Sequence, residues 1–124
     1  GLLGLEAAKP VHDMGVETHI IEFAPILMGR QINEDGHAVL SEKIKAMGIK
    51  VHCGARTEAF VGQDGSTDNE SRSPVSCLRF SDESKDLPVQ MVVISAGIKP
   101  RDELARDAGI EIAPRGGVVV DEHM

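Results

Sequence analysis

The residues with the clearest capacity for chemistry are two glycines and one acidic residue near the start of the chain. Gly1 and Gly4 frame the letters GLLGLE, which fit the second half of a G-x-G-x-x-G pattern. In that pattern the middle glycine lets backbone approach a pyrophosphate, and the last lets a helix pack closely on a sheet. We expect the first glycine of the pattern, and the strand before it, to lie ahead of Gly1. A G-x-x-G pair alone is equally compatible with an ordinary helix that begins with glycine.

Glu22 strengthens the nucleotide interpretation because of its position. It ends a strand-like run and follows Gly1 by 21 residues and Gly4 by 18. In a full fingerprint an acidic residue about 20 positions on accepts the ribose hydroxyls of the adenosine half. The alternative is an exposed carboxylate at a strand end. A carboxylate here would repel a 2′-phosphate and favour NADH over NADPH, a preference that Arg30 in the next loop could soften.

The first half of the chain alternates helical and strand patterns. Gly15 is expected to end the first helix and Asn33 to cap the second, whereas Pro10 predicts a kink or an early end in the first. The patterns predict a helix over 2–14, a buried strand over 17–23, a loop over 24–30, a helix over 32–47 and a strand over 49–53.

The second half is rich in strands. The order of elements predicts an α/β class, Rossmann-like FAD/NAD(P)-binding domain with a β-meander, truncated at its first strand, with residues 1–124 as a single domain. The patterns predict strands over 56–61, 75–80 and 89–95, a mobile polar loop over 62–74, a short helix over 102–108, and short strands over 110–112 and 118–120 around a turn at 114–117.

Composition narrows the classes of partner. The net charge of −7 disfavours nucleic acid, and no apolar run is long enough to predict a membrane helix. Cys53 and Cys77 are expected to be reduced thiols in a cytoplasmic protein. No metal site is predicted, because the histidines lack ligand spacing and the adjacent His52 and Cys53 should point to opposite faces of a strand.

Several longer segments resemble a known family. GLLGLEAAK, GVETHIIEFAPILMGRQI, KIKAMGIKVHCG, VVISAGIKPRDELARDAGIEI and RGGVVVDEHM together are similar to the large subunit of assimilatory NAD(P)H-dependent nitrite reductases. More broadly they resemble the pyridine-nucleotide-disulfide oxidoreductase-like flavoproteins. The match covers nearly the whole chain except residues 62–88.

The resemblance implies an NAD(P)H-binding domain that belongs to a larger FAD-dependent oxidoreductase. It implies that NAD(P)H passes a hydride to FAD, and that electrons continue to a sirohaem and iron–sulfur centre where nitrite is reduced to ammonia. No catalytic residue is expected within the chain, and the isolated fragment is expected to be inactive. The cofactor-binding residues implied are Gly1, Leu2, Leu3, Gly4, Glu6, Glu22, Phe23, Ala96, Gly97 and Ile98.

Two alternatives remain open from the sequence. The same domain could serve another FAD-dependent NADH reductase, such as a rubredoxin or ferredoxin reductase, a CoA-disulfide reductase or an NADH oxidase. It could also be a non-catalytic interaction module, in which an open sheet edge pairs with a second copy of the chain to form a homodimer.

Overall fold

The computed structural model describes residues 1–68, 72–82 and 85–123, which form a mixed α/β structure with two small sheets. The elements in chain order are α1 (Leu2–Asp13), β1 (His19–Glu22), α2 (Glu34–Ala46), β2 (Lys50–Cys53), β3 (Thr57–Gly62), β4 (Val75–Phe80), β5 (Leu87–Pro88) and α3 (Glu103–Asp107). None of the described helices has the length and apolar character needed to span a bilayer.

Helix α1 begins at Gly1 and passes through Pro10. The prediction of an early end at Pro10 is wrong, since the helix continues to Asp13 with the proline exposed on its outer side. A proline inside a helix loses one backbone hydrogen bond, and here the rest of the turn persists despite that loss. The predicted stop at Gly15 is confirmed: its φ is +81°, and its N–H donates to the carbonyl of His12 at 2.8 Å.

Helix α2 carries the predicted N-cap. The side-chain oxygen of Asn33 accepts a hydrogen bond from the Gly36 N–H at 3.0 Å, which satisfies one of the amides that the helix itself leaves unpaired. The helix ends before Gly48, whose φ of +93° turns the chain into β2. The caps therefore set both ends of this helix.

The first sheet is a parallel pair that packs on α2. Glu22, the last residue of β1, pairs with Cys53, the last residue of β2. Alternation along the strands sends Ile20 and Val51 towards the helices. There they pack on the buried cluster of Leu27, Ile44 and Ile49.

The second sheet is an antiparallel meander in the order β3–β4–β5, and its first two strands match those predicted over 56–61 and 75–80. At the base of its first hairpin, the Gly62 N–H donates to the carbonyl of Ser66 at 2.8 Å and the Gln63 N–H donates to the carbonyl of Pro74 at 2.9 Å. The predicted mobile loop over 62–74 includes residues 69–71, which lie outside the described residues.

The strand predicted over 89–95 is wrong. Only Leu87 and Pro88 pair with β4, and the chain from Met91 to Ser95 joins no ladder. Extended backbone becomes a strand only beside another strand, and none of the described strands lies next to this segment. The side chains of Met91, Val93 and Ile94 are accordingly 60%, 60% and 71% exposed. We call residues 91–95 the unpaired segment.

The last third of the chain is held by a few polar contacts. The Asp102 carboxylate accepts the Gly117 N–H at 2.9 Å and lies 3.3 Å from a guanidinium nitrogen of Arg106. The amide of Gly117, followed by Arg106, lowers the pKa of Asp102. The two short strands predicted here are reduced to one bridge between Ile112 and Val118.

Candidate functional site

A cleft of about 1110 Å³ separates the first sheet and α1 from the meander and the unpaired segment. One wall carries Ala8 of α1 and Ile20 of β1, and the opposite wall carries Leu78 of β4 and Val92. Among the described strands, β1 pairs only with β2, so its other edge opens onto this space. Both the size and the apolar walls suit a ligand site.

The cleft brings together six of the ten cofactor-binding residues expected from the sequence. Gly1, Gly4, Glu22, Phe23, Ala96 and Gly97 line it, and Leu2, Leu3, Glu6 and Ile98 do not. The residues left out are exposed, Ile98 to 94%. Residues from three separate stretches of the chain therefore line the same cleft.

The two glycines at the start of α1 differ in their surroundings. A side-chain carbon added at Gly1, the N-cap of α1, would meet nothing within 4 Å. A carbon added at Gly4 would lie 2.7 Å from the hydroxyl oxygen of Ser95. Gly4 thus permits the close approach of the unpaired segment. The Gly4 and Leu5 N–H groups donate to the Gly1 carbonyl at 3.1 and 3.2 Å, whereas those of Leu2 and Leu3 precede the first acceptor that the helix offers.

Glu22 ties the end of β1 to the start of α1. Its Oε1 accepts the Ala24 N–H at 3.0 Å, and its Oε2 lies 3.4 Å from the Gly1 nitrogen. The side chain is 22% exposed. These contacts fix a carboxylate where the strand end meets the helix N-terminus, the edge at which open α/β sheets bind ligands.

The chain at Ala96–Ile98 turns sharply at Gly97. Its φ of +72° lies in the left-handed region, which residues with a side chain rarely adopt, and a carbon added there would meet nothing within 4 Å. The glycine therefore serves the backbone conformation and leaves this side of the cleft open.

Residues 23–32 form the β1–α2 loop, which extends from Glu22 to the cap of α2. Phe23 is 70% exposed at the cleft, whereas Leu27 is 1% exposed in the core. The Leu27 N–H donates to Nδ1 of His37 on α2 at 3.0 Å. Met28 follows with a φ of +56°, the one positive value among the described residues other than glycine. Sequence reasoning missed His37, because nothing in its spacing indicates a partner ten residues earlier.

Cys53 lies beneath this loop and is held as a thiol. Burial, followed by the negative charge of Glu22, raises its pKa, against smaller effects of Lys45 and the Leu27 backbone. Cys53 and Cys77 are both free and lie in different sheets.

A second polar group lies on the face of the first sheet turned away from α2, and sequence reasoning missed it as well. His19 and His52 stack with their ring planes 6° apart, and His19 Nε2 lies 3.0 Å from the Glu17 carboxylate, which also pairs with Lys50. Burial first, then the charges of His19 and Lys50, lowers the pKa of His52. The signal in the sequence was the spacing of two residues between Glu17 and His19 and between Lys50 and His52, which puts each pair on one side of the chain. This spacing indicates a shared cluster only once the parallel register of β1 and β2 is known.

Within residues 1–68, 72–82 and 85–123, no group of three or more His, Cys, Asp or Glu side chains is arranged to hold a metal ion.

Comparison with known proteins identifies a family whose profile this chain matches. The profile of the family described as pyridine nucleotide-disulphide oxidoreductase matches residues 1–124. The chain is 46% identical to the NADH nitrite reductase large subunit of Escherichia coli strain K12 over 122 residues, 98% of this chain and 14% of that subunit. It is 42% identical to the NAD(P)H nitrite reductase large subunit of Klebsiella oxytoca over 121 residues, 98% of this chain and 12% of that subunit.

A solved structure shows the same fold. The ferredoxin reductase of Rhodopseudomonas palustris superposes with a TM-score of 0.81 at 28% identity, over 98% of this chain and 28% of that one. This similarity confirms the predicted α/β class. The chain spans only 12–14% of the length of the two nitrite reductase subunits.

Proposed function

This chain belongs to the pyridine nucleotide-disulphide oxidoreductase family, and we propose that it is the NAD(P)H-binding domain of a cytoplasmic, FAD-dependent nitrite reductase. In the parent enzyme, bound NAD(P)H supplies a hydride to FAD, and a sirohaem and iron–sulfur centre elsewhere in that enzyme reduces nitrite to ammonia. The identity to nitrite reductase subunits supports the choice of acceptor. The work of this chain is to bind and orient the nucleotide.

The observation that carries the proposal is the grouping of Gly1, Gly4, Glu22 and Gly97 around one cleft at the carboxyl end of β1. The N-terminus of the 12-residue helix α1 suits a pyrophosphate, because the N–H groups of Leu2 and Leu3 precede the first acceptor in the helix and lie at the positive end of its dipole. The open turn at Gly97 would let the opposite side of the nucleotide pass close to backbone.

Glu22 would hold the adenosine ribose. The Ala24 N–H occupies one carboxylate oxygen and orients the group, which leaves the other oxygen directed towards the start of α1. A negative charge at this position accepts hydrogen bonds from ribose hydroxyls and repels a 2′-phosphate. We therefore propose that NADH is preferred over NADPH.

Calorimetric titration of the full-length protein that carries this chain tests the proposal. We expect NADH to bind more tightly than NADPH, and Glu22→Gln to weaken NADH by about 10- to 100-fold, because hydrogen bonds to a charged group contribute about 1.5–3 kcal/mol. Glu42→Gln, on the exposed side of α2, is the matched control and should bind as the wild type does. Absence of binding, or equal binding by both glutamate variants, contradicts the proposal.

A second candidate function is an interaction module, favoured by the unpaired segment. Its exposed Met91, Val93 and Ile94 form an apolar run with free backbone groups that a strand of a second copy could pair with. Light scattering should then show a homodimer that Val93→Lys separates. A monomer at every protein concentration would rule out this candidate.

A further inference from the structure

The β1–α2 loop is attached to the rest of the first half at few points. The Gly54 N–H, just after β2, donates to the carbonyl of Ala24 at 2.9 Å. Beyond it, the buried side chain of Leu27 and the hydrogen bond from its N–H to His37 Nδ1 hold the middle of the loop. In the His37 bond, a side chain of α2 receives a backbone donor of the loop.

Met28, the residue after Leu27, has a backbone conformation that depends on this attachment of the loop to His37. Met28 has a φ of +56°, a strained conformation that a residue with a side chain keeps only where its surroundings enforce it. The Gln31 and Ile32 N–H groups fix the far side of Met28 by donating to its carbonyl at 2.8 and 3.0 Å. Leu27, the residue before Met28, is fixed by the burial of its side chain and by the hydrogen bond from its N–H to His37.

The strained turn is connected to Glu22 by a short path. Only Pro25 and Ile26 separate Leu27 from Ala24, whose N–H orients the Glu22 carboxylate at 3.0 Å. A change in the path of the loop at Leu27 therefore moves the amide that orients Glu22, and with it the exposed Phe23 at the cleft.

We propose that His37 is a positioning residue for the adenosine side of the cleft: its Nδ1 holds the β1–α2 loop in the conformation that aims Glu22. This inference rests on the proposed function, since it concerns the nucleotide that Glu22 would bind. The Leu27 N–H can donate only to a ring nitrogen that carries no proton, so this contact uses Nδ1 of His37 as an acceptor.

The test compares variants that keep, move or remove the acceptor in the full-length protein. His37→Asn places an amide oxygen near the position of Nδ1, His37→Gln places it one bond farther out, and His37→Leu removes it. The probes are NADH, ADP-ribose, which carries the adenosine half, and nicotinamide mononucleotide, which lacks it.

We expect His37→Leu and His37→Gln to weaken NADH and ADP-ribose by about fivefold, the effect of one net hydrogen bond, and to leave nicotinamide mononucleotide unchanged. His37→Asn should restore wild-type affinity. Hydrogen exchange at the Leu27 amide should accelerate in the Leu and Gln variants and not in the Asn variant. If His37→Leu does not fold, the Asn and Gln pair still gives the comparison.

Three results would overturn the inference: unchanged ADP-ribose affinity in the Gln and Leu variants, an equal loss for nicotinamide mononucleotide, or an Asn variant that behaves like Leu. If wild-type protein binds NADH and Glu22→Gln weakens it while the His37 variants do not, only the positioning role fails. If wild-type protein binds neither NADH nor ADP-ribose, the proposed function fails and the inference with it.

Discussion

His19 Nδ1 lies 3.0 Å from Nε2 of His52, and the planes of the two imidazole rings are within 6° of parallel. At that separation one nitrogen must donate and the other accept, so the pair holds at most one positive charge while the bond persists. Glu17 accepts from the far side of His19. Burial, followed by the charges of His19 and Lys50, lowers the pKa of His52 and so favours its neutral form.

The first prediction concerns acid stability. The pKa of His52 is lowered from 6.5 in the folded protein, so the unfolded chain binds its proton more readily, and stability should fall as pH drops below 6.5. His52→Gln keeps a polar partner near the Nε2 position but cannot titrate, and it should flatten this dependence. Urea unfolding between about pH 5 and 8 measures it.

His123→Gln is the control for the histidine prediction, because its side chain is 86% exposed near the end of the chain. The free energy of unfolding of this variant should follow that of the wild type at each pH. If the free energies of unfolding of His52→Gln and of the wild type fall equally as the pH drops, the His19–His52 pair does not cause the loss of stability in acid.

The second prediction concerns the reactivity of Cys53. Its raised pKa keeps the fraction of reactive thiolate small, so alkylation by iodoacetamide at neutral pH should be slow compared with that of the unfolded chain. Glu22→Gln removes one of the two causes and should accelerate the reaction. Peptide mapping by mass spectrometry reports both cysteines, and Cys77, in the other sheet, should react at an unchanged rate. An unchanged rate at Cys53 would contradict the role of the Glu22 charge.

The third prediction concerns the contact between Gly4 and Ser95. A methyl group at position 4 would lie 2.7 Å from the Ser95 hydroxyl oxygen, so Gly4→Ala must displace that side chain or the unpaired segment. Ser95→Ala removes the hydroxyl, and the double variant should be more stable than Gly4→Ala alone. Thermal unfolding of the full cycle should give a coupling energy of about 0.5–3 kcal/mol. Simple additivity of the two changes would show that the close approach does not exist in solution.

The fourth prediction concerns the core beneath the β1–α2 loop. Leu27 is 1% exposed, and Leu27→Ala should lower the free energy of unfolding by about 2–5 kcal/mol, because it removes buried methyl groups and leaves a cavity. Leu104→Ala, at a side chain that is 85% exposed, should change it by less than about 0.5 kcal/mol. Denaturant unfolding distinguishes the two, and equal losses would mean that Leu27 is not a core residue.

The sequence predicted the elements whose limits are set locally. Gly15, Asn33 and Gly48 act on their own turn of chain, so the order of α1, β1, α2 and β2 could be read without knowledge of the fold. The same holds for β3 and β4, which pair as neighbours in sequence, whereas the third strand was predicted over 89–95 and lies at Leu87–Pro88.

Features that depend on distant partners could not be read in this way. The apolar letters of residues 91–95 are typical of a strand, yet a strand also needs a neighbour to pair with. The bond between His37 and Leu27, and that between His19 and His52, depend on the loop path and on the register of β1 against β2. The assignment of Gly1, Gly4 and Glu22 to a nucleotide site came from their spacing, which reflects the geometry of one connected unit, and that of Gly97 came from the family resemblance; both stay predictions.

The separation of the two sheets has a consequence for how the chain acquires its structure. β1 and β2 pair within residues 19–53 and the meander within residues 57–88, and no described helix or strand of one group packs closely against one of the other. Contacts between residues near in sequence form quickly, because only a short loop must close. Each wall of the cleft can therefore be completed during synthesis as soon as its own stretch has emerged. The cleft itself is assembled last, when the stretches that form its two sides have both been made.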